Sequence, residues 1–199
     1  MWGRIKALKS RNKGATLVEF SLVLPILFLL IFGIIDFGYI LYQYNVAVKS
    51  TQIGAQYAAT HDSVISGLND CGPSNYSAPA GTDCALVAGY NASWQITCPG
   101  GAGCQAGIMT DITTKMQEIY PNLDPSTVRV TFSGEPGLGY IGRGRPVPAI
   151  TVSIENMQYR YVAIGAFVNW VSNDDGFGSS INISSARTTV IAEDLREGT

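Results

Sequence analysis

Residues 14–59 read GATLVEFSLVLPILFLLIFGIIDFGYILYQYNVAVKSTQIGAQYAA, and this stretch decides the fold because it contains a long uncharged run. The sixteen residues between Glu19 and Asp36 include no charged side chain. Counted from Ala15, the run has 21 residues, and a helix of that length spans about 31 Å, enough to cross the hydrocarbon core of a bilayer. Helices of soluble proteins are seldom apolar on every side over this length. The sequence therefore predicts a transmembrane helix at residues 15–36.

The charges around the run predict its orientation. Residues 1–14 form a basic leader with five cations and no acid: Arg4, Lys6, Lys9, Arg11 and Lys13. Because positively charged flanks of a span stay in the cytoplasm, we expect the N-terminus inside and the residues after Asp36 outside. Four aromatic residues just past the run suit the outer interface of the membrane: Phe37, Tyr39, Tyr42 and Tyr44.

The rest of the chain is acidic and apolar enough to fold. Subtracting the five N-terminal cations from 13 Lys and Arg leaves 8, against 15 Asp and Glu, so this part has a net charge of −7. Phosphate binding needs a basic patch on the folded part, which argues against nucleic acid as a partner. Apolar residues make up 46% and charged residues 14% of the chain, a composition that favours a real core over disorder.

A glycine and a glutamate at the start of the run indicate a role beyond anchoring. Gly14 follows the basic leader, and Glu19 stands five residues later, where a carboxylate near the membrane is costly and usually functional. A cut after Gly14 would make Ala15 a free cationic amine. The carboxylate of Glu19 can then pair with that amine on a neighbouring subunit, which offsets two desolvation costs and sets the register of packed helices. Alternatively, Glu19 lies among headgroups at the cytoplasmic end of a plain anchor, and the spacing alone leaves both interpretations open.

The length of the run and its proline bear on its role as well. A cleaved secretory signal has a shorter apolar region that ends in small residues of the A-x-A type, and no such site directly follows this run.

Pro25 lies in the middle of the run and removes a backbone donor, so we expect a kink there. The kink is either local geometry or a feature that helps a minor subunit to fit into, or to terminate, a bundle of straighter helices.

In combination, these residues resemble the N-terminal signature of the TadE-like family, minor pseudopilins of tight-adherence (Flp-type) pilus systems with a type IV prepilin-like N-terminus. The resemblance covers 46 of 199 residues and rests on Gly14, Val18-Glu19-Phe20, Leu24-Pro25, Gly33, Asp36-Phe37-Gly38 and Gly54-Ala55. The sequence departs from the family at Gln56, where a basic residue often follows, and it has Ala15 where many type IV prepilins carry Phe. The resemblance implies processing by a prepilin peptidase and assembly with other pilin subunits and pilus platform proteins.

Beyond the run the periodicity predicts an α+β domain carried on a helical stalk at 37–60. One apolar stripe at helical spacing extends to about residue 60: Phe37, Ile40, Leu41, Tyr44, Val48, Ala55 and Ala58. Residues 61–105 are rich in Gly, Pro, Ser and Asn and predict loops. A short helix at 106–119 and period-two strands at 127–133, 149–155, 159–164 and 181–192 follow. We therefore expect residues 61–199 to form an extracytoplasmic domain with a small antiparallel sheet.

All four cysteines lie beyond the run, in the loop-rich region: Cys71, Cys84, Cys98 and Cys104. An even number in an oxidising compartment indicates two disulfides, and three pairings are possible. We favour the sequential pairing of Cys71 with Cys84 and Cys98 with Cys104. A zinc site is the alternative, but the sequence has no C-x-x-C pair and one histidine, His61, that is not spaced with the cysteines.

No stretch of the sequence predicts an enzyme, a metal site or a cofactor site. The segment from Gly137 to Gly142 matches G-x-G-x-x-G, but Pro136 precedes it and no helix is predicted to open there and hold a phosphate.

The function that the sequence favours is a minor pilin or pseudopilin that crosses the bacterial cytoplasmic (inner) membrane once. The alternative is a membrane-anchored extracytoplasmic module for binding or adhesion.

Overall fold

The computed structural model describes residues 12–66, 71, 77–141, 147–172 and 180–192. It divides into two compact units. The span unit groups Met1–Tyr42 with Gln158–Ile181, and the sheet unit groups Gln43–Met157 with Asn182–Thr199. The predicted boundaries at residues 14, 36 and 60 stay predictions.

After a long first helix, the described residues form six strands and two shorter α-helices. The elements are α1 (Asn12–Thr60), β1 (Gln95–Cys98), α2 (Ala106–Ile119), β2 (Val128–Ser133), β3 (Ala149–Ile154), β4 (Gln158–Arg160), α3 (Ala163–Ser172), β5 (Ser180–Asn182) and β6 (Ala186–Ile191). Short 3-10 turns at Cys84–Leu86 and Pro125–Thr127 complete the set for the described residues. The predicted α+β fold, with a long apolar helix, antiparallel strands and two disulfides, is confirmed.

The first helix, α1, has 49 residues and ends at Thr60. Within the described chain it is the one helix long and apolar enough to cross a membrane. It contains Pro25, and the helix continues on both sides of that residue. Residues up to Tyr42 belong to the span unit, and residues from Gln43 belong to the sheet unit. The kink expected at Pro25 remains a prediction.

Four antiparallel strands form the main sheet of the sheet unit in the order β1-β2-β3-β6. Strand β2 alternates strictly, with Val128, Val130 and Phe132 buried and the intervening side chains partly exposed. This period of two buries one face of the sheet and leaves polar side chains on the other. Strand β3 continues the pattern of β2, because Val130 of β2 lies opposite Val152 of β3. The predicted strands at 127–133 and 149–155 are therefore confirmed to within one residue at their ends.

The last turns of α1 and helix α2 supply the other side of this core. Ala55 of α1 and Met116 of α2 are both fully buried in the same cluster as the strand residues. The hydroxyl of Ser50 donates to the carbonyl oxygen of Met116 at 3.1 Å, and the hydroxyls of Thr51 and Thr188 lie 2.9 Å apart. Helix α2 coincides with the predicted segment 106–119, because its apolar residues recur at helical spacing.

Three predictions of secondary structure were wrong in part. Strand β1 lies inside the region predicted as loops. The predicted strand at 159–164 is limited to β4, and the chain then enters helix α3. The predicted strand at 181–192 is divided between β5, which pairs with β4, and β6, which joins the main sheet. The reason in each case is pairing with distant segments, which local periodicity does not report.

Candidate functional site

The residues predicted for processing and assembly lie on the exposed surface of α1. Gly14, Ala15, Glu19 and Pro25 are all exposed. Ala15 and Glu19 are four positions apart, so they lie about one turn apart on the same face of the helix. Among the described residues, the Glu19 carboxylate has no ion-pair partner. A side chain added at Gly14 would meet no atom within 4 Å.

Large apolar side chains cover α1 on every side through the charge-free run. Leu17, Leu22 and Ile26 are each 69% exposed, and Ile34 is 65% exposed. Burial of this surface is favourable, because each of these side chains gains roughly 1.5–3 kcal/mol on full burial. The surface of α1 is therefore suited to contact with lipid chains or with other helices.

A cluster of hydrogen bonds in the span unit is centred on Asp36. Its carboxylate is 1% exposed and accepts four hydrogen bonds from the segment around the start of α3. Oδ1 accepts from the Tyr159 hydroxyl at 3.2 Å and from the backbone N–H groups of Val162 and Ala163 at 3.1 and 3.0 Å. Oδ2 accepts from the N–H of Ile164 at 2.7 Å. The first N–H groups of a helix lack intrahelical acceptors, so Asp36 caps α3 from a different helix.

Tyr159 fixes one side of this carboxylate. Burial, together with the neighbouring Asp36 carboxylate, raises the pKa of the Tyr159 hydroxyl to about 12. The hydroxyl therefore stays protonated at neutral pH and remains a donor to Asp36. Its ring also lies 5.8 Å from the ring of Tyr39 on α1 and 5.8 Å from that of Tyr161.

Apolar contacts continue the packing of α3 against α1 below the cap. The ring of Phe167 lies 5.5 Å from that of Phe32 and 6.3 Å from that of Phe28. Gly33 lies beside Ile164, and a side chain added at Gly33 would make an ordinary van der Waals contact of 3.9 Å with Cδ1 of Ile164. Pairs of aromatic rings at these distances contribute about 0.5–1.5 kcal/mol beyond the area they bury.

The role of Asp36 was not predicted from the sequence. The residue was noted as the end of the charge-free run and as part of the Asp36-Phe37-Gly38 motif, without a partner. One signal was present, because a carboxylate at the end of a predicted span must be solvated or paired. The sequence gives no signal that its partners lie more than 120 positions away, at Tyr159 to Ile164.

The four cysteines lie in the sheet unit and are distant in sequence from Asp36 and its hydrogen-bond partners. Cys71 is joined to Cys84, and Cys98 is joined to Cys104, which is the sequential pairing favoured from the sequence. Both pairs have Cα atoms 5.8 Å apart, within the usual range for a disulfide. Cys71 and Cys84 form a small apolar cluster with Val87 and Ile141. The disulfides therefore stabilise a region that has few regular elements.

Comparison with known proteins places the matching region in the first helix. Residues 14–56 match the model of a family described as TadE-like protein. Searches of curated proteins and of solved structures each found no match to the chain. The matched segment contains Gly14, Glu19, Asp36 and Gly54. This N-terminal segment is therefore TadE-like, and the resemblance predicted from its motifs is confirmed.

Proposed function

We propose that this chain is a minor pilin-like subunit, or pseudopilin, that takes part in assembly of a tight-adherence pilus. The observation that carries the proposal is the position of Glu19 within the TadE-like segment. It is an exposed carboxylate on a helix whose neighbouring side chains are large, apolar and exposed. Such a group is costly in lipid unless a cation meets it.

Processing after Gly14 would supply that cation. Cleavage leaves Ala15 with a free amine about one helical turn, or roughly 6 Å along the axis, from the carboxylate of Glu19. When two processed helices pack side by side with a small axial shift, the amine of one subunit faces the carboxylate of the other. Pairing removes two unpaired charges from lipid, whereas any other register leaves both unpaired, so the charge pair selects the register.

The same proposal sets the location and the partners. The chain would cross the bacterial inner membrane once through residues 15–36, with its N-terminus in the cytoplasm and the sheet unit on the outer side. Oxidising conditions on that side suit the two disulfides. A prepilin peptidase, other pilin subunits and the pilus assembly platform would be its partners. The family match supports a pilus role and gives no support to an enzymatic one.

Replacement of Glu19 tests the assembly role. Glu19→Val and Glu19→Gln should leave membrane insertion and processing intact and should sharply reduce the amount of pilus recovered by shearing. Ser21→Val is the matched control, because Ser21 is an exposed polar residue on the same turn whose hydroxyl bonds only within the helix, to the carbonyl of Val18 at 2.8 Å. Normal piliation with both Glu19 variants would refute the pairing role.

A second candidate function is a membrane-anchored binding module. A shallow polar groove of about 430 Å³ runs over the exposed face of the main sheet, and its lining residues include Gln95, Thr131, Ser133, Thr151, Ser153 and Arg187. Replacing Thr131 and Thr151 with valine would leave pilus assembly unchanged and abolish surface adhesion if this function is the main one. The pilus proposal expects the opposite dependence, with piliation sensitive to Glu19 and insensitive to the groove.

A further inference from the structure

The groove on the exposed face of the main sheet is long as well as shallow. Its lining begins at Gln95 on β1 and reaches Arg187 on β6, so it crosses all four strands. Gln95 lies opposite Ser133, and Ser133 lies opposite Ala149 at the start of β3. From that level the lining continues along β3 to Glu155, six positions beyond Ala149, or about 20 Å at the rise of a strand. A groove of this length suits one stretch of an extended polymer better than a compact small molecule.

A row of four threonines crosses the middle of this face, one from each strand. The register places Thr97 opposite Thr131, Thr131 opposite Thr151 and Thr151 opposite Thr189. The hydroxyl oxygens of Thr97 and Thr131 lie 3.0 Å apart, and either of them can be the donor. Those of Thr151 and Thr189 lie 2.8 Å apart, again with either as donor. Each pair can therefore offer a donor or an acceptor to a ligand by reversing one hydrogen bond.

The lining of the groove is polar throughout. Of its nine residues, five have hydroxyl groups and one has an amide, and the others are two glutamates and one arginine. Hydroxyl and amide groups both donate and accept hydrogen bonds, as the hydroxyl groups of a sugar do. A sugar can therefore exchange its hydrogen bonds with water for hydrogen bonds with the groove, at little cost in unpaired groups.

The charges of the groove argue against an acidic ligand. Two carboxylates, those of Glu135 and Glu155, face one cation of the lining, Arg187. The Glu155 carboxylate also lies 3.7 Å from Nε of Arg129, which partly neutralises it. The nine lining residues thus form no basic patch of the kind that a polymer of phosphates requires. An acidic polymer would meet like charge at Glu135, whereas an uncharged one would not.

The same face is poorly suited to a peptide. Strand addition requires a strand with unpaired backbone groups, whereas β2 and β3, which carry most of the lining, each pair with a strand on both sides. The nine lining residues also include no aliphatic or aromatic side chain that could form a pocket for an anchor residue. A peptide would therefore have polar side-chain contacts alone.

From these observations we infer that the groove of the main sheet binds a linear, uncharged glycan. The inference rests on the second candidate function, because it names the ligand of that binding module, and it is independent of the pilus role. The nine lining residues offer no aromatic ring on which a sugar could stack, so a single groove should bind weakly. Several copies of the chain on one surface would strengthen the attachment by avidity.

Titration followed by saturation-transfer NMR tests the inference on the full chain in phospholipid nanodiscs, which avoid the sugar headgroups of common detergents. The probes are cellohexaose and chitohexaose, which are uncharged, hexagalacturonate, which is acidic, and an uncharged hexapeptide of alternating glycine and serine. The test variant combines Thr131→Val with Thr151→Val, since valine suits a strand and lacks the hydroxyl. The matched control combines Thr110→Val with Thr114→Val on α2, where both side chains are exposed and both hydroxyls donate to carbonyl oxygens of the same helix.

The inference predicts that at least one uncharged hexasaccharide binds. Its affinity should fall about tenfold or more in the Thr131 and Thr151 variant, because two hydrogen bonds are lost, and should be unchanged in the control. Hexagalacturonate should bind several-fold more weakly than the uncharged glycan. The Glu135→Lys variant should reduce that difference by strengthening the binding of hexagalacturonate, a gain that misfolding could not produce.

Three results would overturn the inference. The first is that neither uncharged hexasaccharide binds, and the second is that the threonine substitutions leave their binding unchanged. The third is binding of the hexapeptide in place of the glycans, with loss of that binding in the Thr131 and Thr151 variant. This third result would leave the binding module standing with a different class of ligand, so the failure of the inference and that of the second candidate function can be told apart.

Discussion

Asp36 and Ile164 are 128 positions apart in sequence, yet Oδ2 of Asp36 accepts a hydrogen bond of 2.7 Å from the backbone N–H of Ile164. This contact joins the end of the charge-free run to the start of α3. It explains why a segment with the alternation of a strand becomes a helix at this position. The acid of the Asp36-Phe37-Gly38 motif thus has a structural role that is separate from the role proposed for Glu19.

Replacement of Asp36 should loosen α3 without unfolding the sheet unit. Asp36→Asn keeps one acceptor oxygen, but its amide N–H₂ group then faces at least one backbone N–H donor, which loses its acceptor. Because an unsatisfied buried donor costs about 1–3 kcal/mol, the free energy of local opening around residues 162–164 should fall by that amount. Hydrogen exchange followed by mass spectrometry measures this change. Asp111→Asn, on the exposed face of α2, is the control and should exchange like the wild type.

Addition of one methyl group at Gly54 should destabilise the sheet unit. A side chain there would lie 2.7 Å from Sδ and 2.8 Å from Cγ of Met116, closer than packed atoms allow. Gly54→Ala should therefore lower the free energy of unfolding by about 1–3 kcal/mol. Adding Met116→Ala to this variant should recover part of the lost stability, because it removes the side-chain atoms that the new methyl group would meet.

The matched control for Gly54 is Gly107 in α2, where an added side chain meets no atom within 4 Å. Gly107→Ala should raise stability by up to about 1 kcal/mol, because alanine favours a helix more than glycine does. Denaturant unfolding in detergent compares the two variants. Equal effects of the two substitutions would contradict the close packing of α1 on α2.

Loss of either disulfide should destabilise the loop-rich part of the sheet unit. The bridge from Cys71 to Cys84 closes a loop with a sequence separation of 13, and that from Cys98 to Cys104 closes one with a separation of 6. From the entropy that each bridge removes from the unfolded chain, we expect the two bridges to contribute about 3 and about 2 kcal/mol, respectively, to the free energy of unfolding. Unfolding of the paired serine variants measures the two values. Peptide mapping without reduction would contradict the pairing if it recovered Cys71 linked to Cys98 or Cys104.

The orientation predicted from the basic leader has its own test. An impermeant maleimide should modify Asp111→Cys in intact spheroplasts, and it should fail to do so in sealed inside-out vesicles, because the positively charged flank of the span stays in the cytoplasm. Modification of this site only in the inside-out vesicles would reverse the topology.

The sequence predicted those elements whose evidence is local. Helix α1 to about residue 60, helix α2 and strands β2 and β3 each show their periodicity within one segment. Strand β1 was missed because Gln95–Cys98 is short and lies among turn-forming residues, and pairing with β2 determines it. Val190 and Ile183 were assigned to one strand, although the chain changes sheets between β5 and β6.

The candidate site divides in the same way. Gly14, Ala15 and Glu19 form a pattern of adjacent residues, so the sequence alone suggests a processing and pairing role. Asp36 acquires its role only from Tyr159 to Ile164, and the alternation of Tyr159, Tyr161 and Ala163 misleadingly favours a strand. A cap supplied by another helix depends on tertiary packing, which the pattern of one segment does not contain.

The measurement that tests the account most directly is the mass of the N-terminal peptide of the protein taken from cells with and without the prepilin peptidase. Cells that contain the enzyme should yield a peptide that begins at Ala15, and cells that lack it should yield the uncut precursor. The Gly14→Ala variant should remain uncut in both. An uncut chain that supports normal piliation in the presence of the peptidase, or a mature chain that begins at another residue, would contradict the proposed pairing of the Ala15 amine with Glu19.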